Sequence, residues 1–126
     1  KRRSRARSLA AFACRNAADG CGTEAFSALM MAWAAQTARD LSMRSLARHI
    51  AADEARHADL AFDVQAWASE SLPASKVARL RDIRDTAIRN AARDAAPAVV
   101  ETKLGFPGRP IAERLAELLI AELATT

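Results

Sequence analysis

Asp53-Glu54-Ala55-Arg56-His57-Ala58-Asp59-Leu60 is the stretch that decides the fold. Glu54 and His57 stand three residues apart, so on a helix they project from one side about one turn apart. On a helical wheel, Met43, Ala47, Ile50, Ala58, Ala61 and Ala68 fall within about 40° of Glu54. A carboxylate and an imidazole therefore sit in an apolar stripe. A buried, unpaired carboxylate is costly, so this one calls for a metal, a cation or a proton.

Outward from that stretch, the same periodicity covers the chain and predicts an all-α fold. Residues 43–71 form a long helix stopped by Pro73, with Ser42 as its N-cap. Residues 8–39 read as a first long helix, with Leu9, Phe12, Ala13, Ala17, Ala28, Met31, Ala35 and Ala38 at helical spacing. Gly20 and Gly22 weaken it by about 1 kcal/mol each relative to alanine. One continuous helix is expected, because small residues there admit a neighbouring backbone. A third helix is expected over 76–95, capped by Ser75, and a loop over 98–109. Ile111, Leu115, Leu118, Leu119 and Leu123 mark a fourth over 110–124, with Pro110 in its first turn. The two long helices make an antiparallel hairpin, and 73–126 forms a C-terminal helical extension.

The first helix carries a second misplaced charge. With Glu24 at zero on its wheel, Ala17, Ala28, Met31, Ala35 and Ala38 lie within about 40°. Trp33 lies opposite Glu24, as Trp67 lies opposite Glu54. Folding the hairpin at Asp40-Leu41 puts Glu24 about 24 Å from the turn, and Glu54 and His57 about 20–24 Å from it. All three arrive at one height. His49 faces away and reads as an ordinary exposed histidine.

Other features bound the partners. The net charge of +4 is an end effect: Lys1, Arg2, Arg3, Arg5 and Arg7 supply it, and the rest of the chain sums to −1. No aromatics interleave with these arginines, so 1–7 reads as a solvated basic arm or linker with no nucleic-acid role. No apolar run approaches the ~20 residues of a membrane span. Cys14 and Cys21 form no C-x-x-C and read as reduced thiols of a cytoplasmic protein. Cys21 lies three residues before Glu24 and either lines the same site or simply packs.

Residues 8–72 resemble the second helix pair of a ferritin-like di-iron carboxylate bundle. The string from Asp53 to Leu60 is similar to the D-E-x-R-H segment of the fourth helix in that superfamily. The stretch Asp19-Gly20-Cys21-Gly22-Thr23-Glu24-Ala25 resembles the third-helix segment of bacterial ferritin-like proteins. The resemblance implies a terminal ligand at Glu24, a bridging ligand at Glu54 and a terminal imidazole at His57. It implies a supporting role for Asp53, orienting the histidine of the other half-site. Arg56 reads as a surface or Asp-pairing residue.

The chain supplies one Glu helix and one Glu-x-x-His helix where such a site takes two of each. The missing ligands are expected from an N-terminal half of the same protein or from a second subunit in a homodimer. The cofactor implied is iron in a two-metal site, with manganese as the alternative. The activity implied is an O2- or peroxide-dependent oxidoreductase or a ferroxidase. The chain has no tyrosine, which excludes a tyrosyl radical on it. The competing reading is a metal-free helical interaction module that uses Trp33, Trp67 and the leucine stripe of the last helix.

Overall fold

A computed structural model describes residues 2–95 and 104–125. It is helical throughout, with no strand among the described residues. Helix α1 (Arg2–Ala18) runs into a π segment (Asp19–Glu24) and on into α2 (Ala25–Thr37). The junction residues Ala18 and Ala25 keep helical dihedrals, so these elements form one rod, as expected. The rod starts earlier than expected. Residues 2–7 are its first turns and no separate arm, because alanine and arginine favour helix and no Gly or Pro precedes Gly20.

Ala38 and Asp40 are extended and turn the chain. Helix α3 (Leu41–Ser69) then returns antiparallel to the rod. Its N-cap is Asp40, in place of the expected Ser42. The Asp40 carboxylate accepts from the amides of Ser42 at 2.7 Å and Met43 at 3.3 Å. A carboxylate at a helix N-terminus satisfies free amides and meets the helix dipole favourably. Helix α4 (Ala74–Arg93) follows Pro73, whose carbonyl accepts from Lys76 and Val77. Ser75 falls inside the first turn and caps nothing. Helix α5 (Arg109–Ala124) begins after Gly108, with Pro110 in its first turn. The expected end of the third helix at Pro97 and the 98–103 part of the loop lie outside the described residues. Among the described residues, no helix is long and apolar enough to cross a membrane.

The seam between rod and α3 is built from small side chains. Ala13, Ala17, Gly20, Cys21, Ala34 and Ala38 are buried on the rod, and Ala47, Ala58, Ala61 and Ala68 on α3. The two glycines of the π segment serve opposite neighbours. A Cβ on Gly20 would overlap that of Ala61 on α3, and one on Gly22 would stand 2.8 Å from the Cβ of Ala87 on α4. The expectation that small residues here admit close backbones therefore holds on two sides. The larger apolar side chains pack elsewhere. Leu80 joins Ala13, Ala17 and Ala68 in one cluster. Ile88 and Phe26 join Ala92, Ala112, Ala116 and Ile120 in another, which fixes α5 on α4 and the start of α2. Gly105 takes a positive φ of 77°, and a Cβ there would collide with the backbone of Ala38. The Thr37 hydroxyl donates to its carbonyl at 2.6 Å. The segment before α5 is thereby tied to the hairpin turn.

Candidate metal centre

The register of the hairpin is set by Asn16. Its Nδ2 donates to the Ala61 carbonyl at 2.9 Å and to Gln65 Oε1 at 2.8 Å. Four residues further along the rod, Gly20 lies against Ala61. Four more bring the rod to Glu24 and α3 to His57. Both side chains line one open groove of about 630 Å³ between rod and α3, together with Phe12, Asn16 and Leu60. The common height expected for Glu24 and His57 is present.

Glu54 is placed differently. It stands seven residues from both Ala47 and Ala61, in the seam that those alanines fill, and it is half-buried there. His57 is rotated from it by about 60°, onto the open face, and is exposed. Glu54 is accordingly not among the groove-lining residues. Among the described residues no group of three His, Cys, Asp or Glu side chains stands ready to hold an ion. The single chain brings Glu24 and His57 to one groove and leaves Glu54 in the seam about one turn away.

The groove carboxylate Glu24 and the seam carboxylate Glu54 keep the property that drew attention to them. Neither Glu24 nor Glu54 has a hydrogen bond or ion pair from another described side chain. Asp53 is exposed and paired with Arg56, which fits the reading of Arg56 as an Asp-pairing residue. In this chain alone, Asp53 orients no histidine. His49 is exposed, with Nδ1 2.8 Å from the Ser45 carbonyl, and stands apart from the groove, as expected.

Cys21 is fully buried in the seam and packs, without lining the groove. Both cysteines are free. Burial pushes the Cys21 thiol up to about 11, with Arg84 pulling it down and Glu24 adding to the rise. The folded state favours the protonated thiol. That contribution is complete below the ordinary value of 9.0 and is lost as pH rises towards about 11. In native protein at pH 8, half-buried Cys14 is expected to be alkylated by iodoacetamide well before Cys21, as peptide mapping would show. Equal rates would contradict this burial.

Asn16 and Gln65 are missing from the sequence reading. They are amides in alanine stripes, and the misplaced-polar test that found Glu24 and Glu54 reaches them equally. Gln65 Nε2 is buried with no partner among the described residues. The π segment was also missed; only its two glycines gave a signal. Within it the Thr23 hydroxyl donates to the Ala18 carbonyl at 3.2 Å. Such segments recur at functional sites. No protein-family model, curated protein or solved structure matches the chain.

Proposed function

We propose that this chain carries half of a ferritin-like, carboxylate-bridged two-metal site and acts, once the site is completed, as an O2- or peroxide-dependent oxidoreductase or ferroxidase. The observation that carries the reading is the alignment of Glu24 with His57 across a hairpin whose seam also holds Glu54. The donor set fits the group. Two carboxylates without cationic partners and one imidazole are ligands that suit iron or manganese. Glu24 and His57 would hold the ion from opposite sides of the groove, and Glu54 would reach it from the seam. Bound metal of this kind supplies Lewis acidity and redox chemistry. The alanine seam supplies a low-dielectric wall behind the carboxylates. The free thiols fit the cytoplasm as the working compartment.

The test is titration with Mn(II), and with Fe(II) under anaerobic conditions, followed by thermal melting and metal analysis. Wild-type protein is expected to melt higher with metal. Glu54→Leu is expected to abolish that gain and to lower affinity by at least about tenfold. It should also stabilise the metal-free protein by about 1 kcal/mol, since it replaces an unpaired carboxylate with an apolar side chain. A metal response unchanged in Glu54→Leu would remove Glu54 from the site.

Trp67 is exposed, as the interaction-module reading requires. Trp33 is half-buried, which leaves that reading with one of its two tryptophans.

A further inference from the structure

Helices α3 and α4 both pack on the rod and scarcely on each other. They leave a second cleft, of about 560 Å³, on the far side of the seam from the groove of Glu24 and His57. The two share no lining residue. The floor of the cleft is the rod at Ala17 and Cys21. Phe62 on α3, Val77 and Leu80 on α4 and Leu123 on α5 give it apolar walls. A cavity of this size, apolar with a few polar groups, is the usual form of a small-molecule site.

Its polar groups are short of acceptors. Arg84 lines the cleft with a side chain only 12% exposed. Its Nε donates to Asp85 at 2.8 Å. A guanidinium carries five N–H donors, and those on its two terminal nitrogens have no acceptor among the described residues. Neither nitrogen is sealed off, which leaves both open to the cleft. Gln65 on α3 repeats the pattern. Its Oε1 accepts from Asn16, while its Nε2 is buried with no partner among the described residues. Arg81 and Asp82 are exposed at the rim with opposite charges. Donors left unmet at this depth are costly, and an anionic acceptor is what the cleft lacks.

We infer that this cleft binds a small monocarboxylic acid with an apolar tail. The carboxylate accepts from the terminal nitrogens of Arg84, whose planar fork suits a carboxylate. The tail lies against Phe62, Val77, Leu80 and Leu123. Asp82 and Asp85 beside the guanidinium disfavour a doubly charged phosphate, and the apolar walls disfavour a short polar acid. The site stands apart from the metal reading, since Glu24, Glu54 and His57 do not line it.

The test is titration of the full metal-free chain with octanoate, followed by calorimetry and by amide NMR shifts. Octanoate is expected to bind saturably with a Kd below about 1 mM and to shift Gln65, Ser69 and Leu80. Octylammonium, which offers no acceptor, and acetate, which has no tail, are expected to bind at least about tenfold more weakly. Arg84→Met is expected to lower octanoate affinity at least about tenfold. That change also strands Asp85, so a second variant leaves the pair intact. Ala66→Trp, at an exposed position on the α3 wall, is expected to block octanoate at unchanged helicity. No saturable binding, octylammonium bound as well as octanoate, affinity unchanged in both variants, or shifts centred on His57 in place of Leu80 would overturn the inference.

Discussion

Ile88→Ala is expected to destabilise the chain by about 3–4 kcal/mol, the largest loss of any single truncation here. Among the described residues, Ile88 is the largest side chain that is fully buried. Its neighbours Ala92, Ala112 and Ala116 are already small and cannot close the cavity. Phe26 and Ile120 lose their shared contact, so α5 loosens from α4 and α2 together. The surface pair between Arg89 and Glu117 cannot hold α5 in place, since solvent screens an exposed ion pair and leaves it little net stabilisation. Urea unfolding of the two proteins measures this directly. A difference under about 1 kcal/mol would show that α5 is anchored by something other than this cluster.

Gly20→Val is expected to cost about 3 kcal/mol and to lower the melting temperature by about 10 °C. The added Cβ overlaps Ala61, and neither backbone can yield without opening the seam. Opening it breaks the Asn16 bonds to Ala61 and Gln65. The ~1 kcal/mol or less of helix propensity gained on leaving glycine does not offset this. A double variant, Gly20→Val with Ala61→Gly, is expected to recover most of the loss, because the clash lies between those two side chains. Thermal melts of the three proteins test the pairing. Failure of the second change to rescue would place the strain elsewhere.

Most of the fold was legible because its signals are periodic. The apolar spacing around Glu54 and Glu24 gave both faces of the hairpin. Counting residues from the turn gave the level at which Glu24 meets His57. Helix starts were less legible, since Asp40, Ser42 and Ser75 are all chemically able to cap. Which of them caps depends on where the chain leaves the extended conformation, and local composition does not carry that. The placement of Glu54 apart from the groove was illegible for a different reason. A wheel treats residues 60° apart as one face, whereas two packed helices separate them into a closed seam and an open groove. Asn16 could have been found, because an amide between Ala13 and Ala17 is as anomalous as a carboxylate.

The π segment fixes how the rod's two ends are turned relative to each other. Asn16, before it, must face Ala61 and Gln65 to hold the register. Glu24, at its end, must face the groove. One residue of helix corresponds to about 100° of rotation and about 1.5 Å of rise. A chain one residue shorter between these positions could restore an unbroken α-helical ladder. It would then carry Glu24 about a quarter-turn out of the groove whenever Asn16 was seated. The number of residues from Asp19 to Glu24 thus acts as an angular setting, and a shorter segment would give a better helix and a worse site.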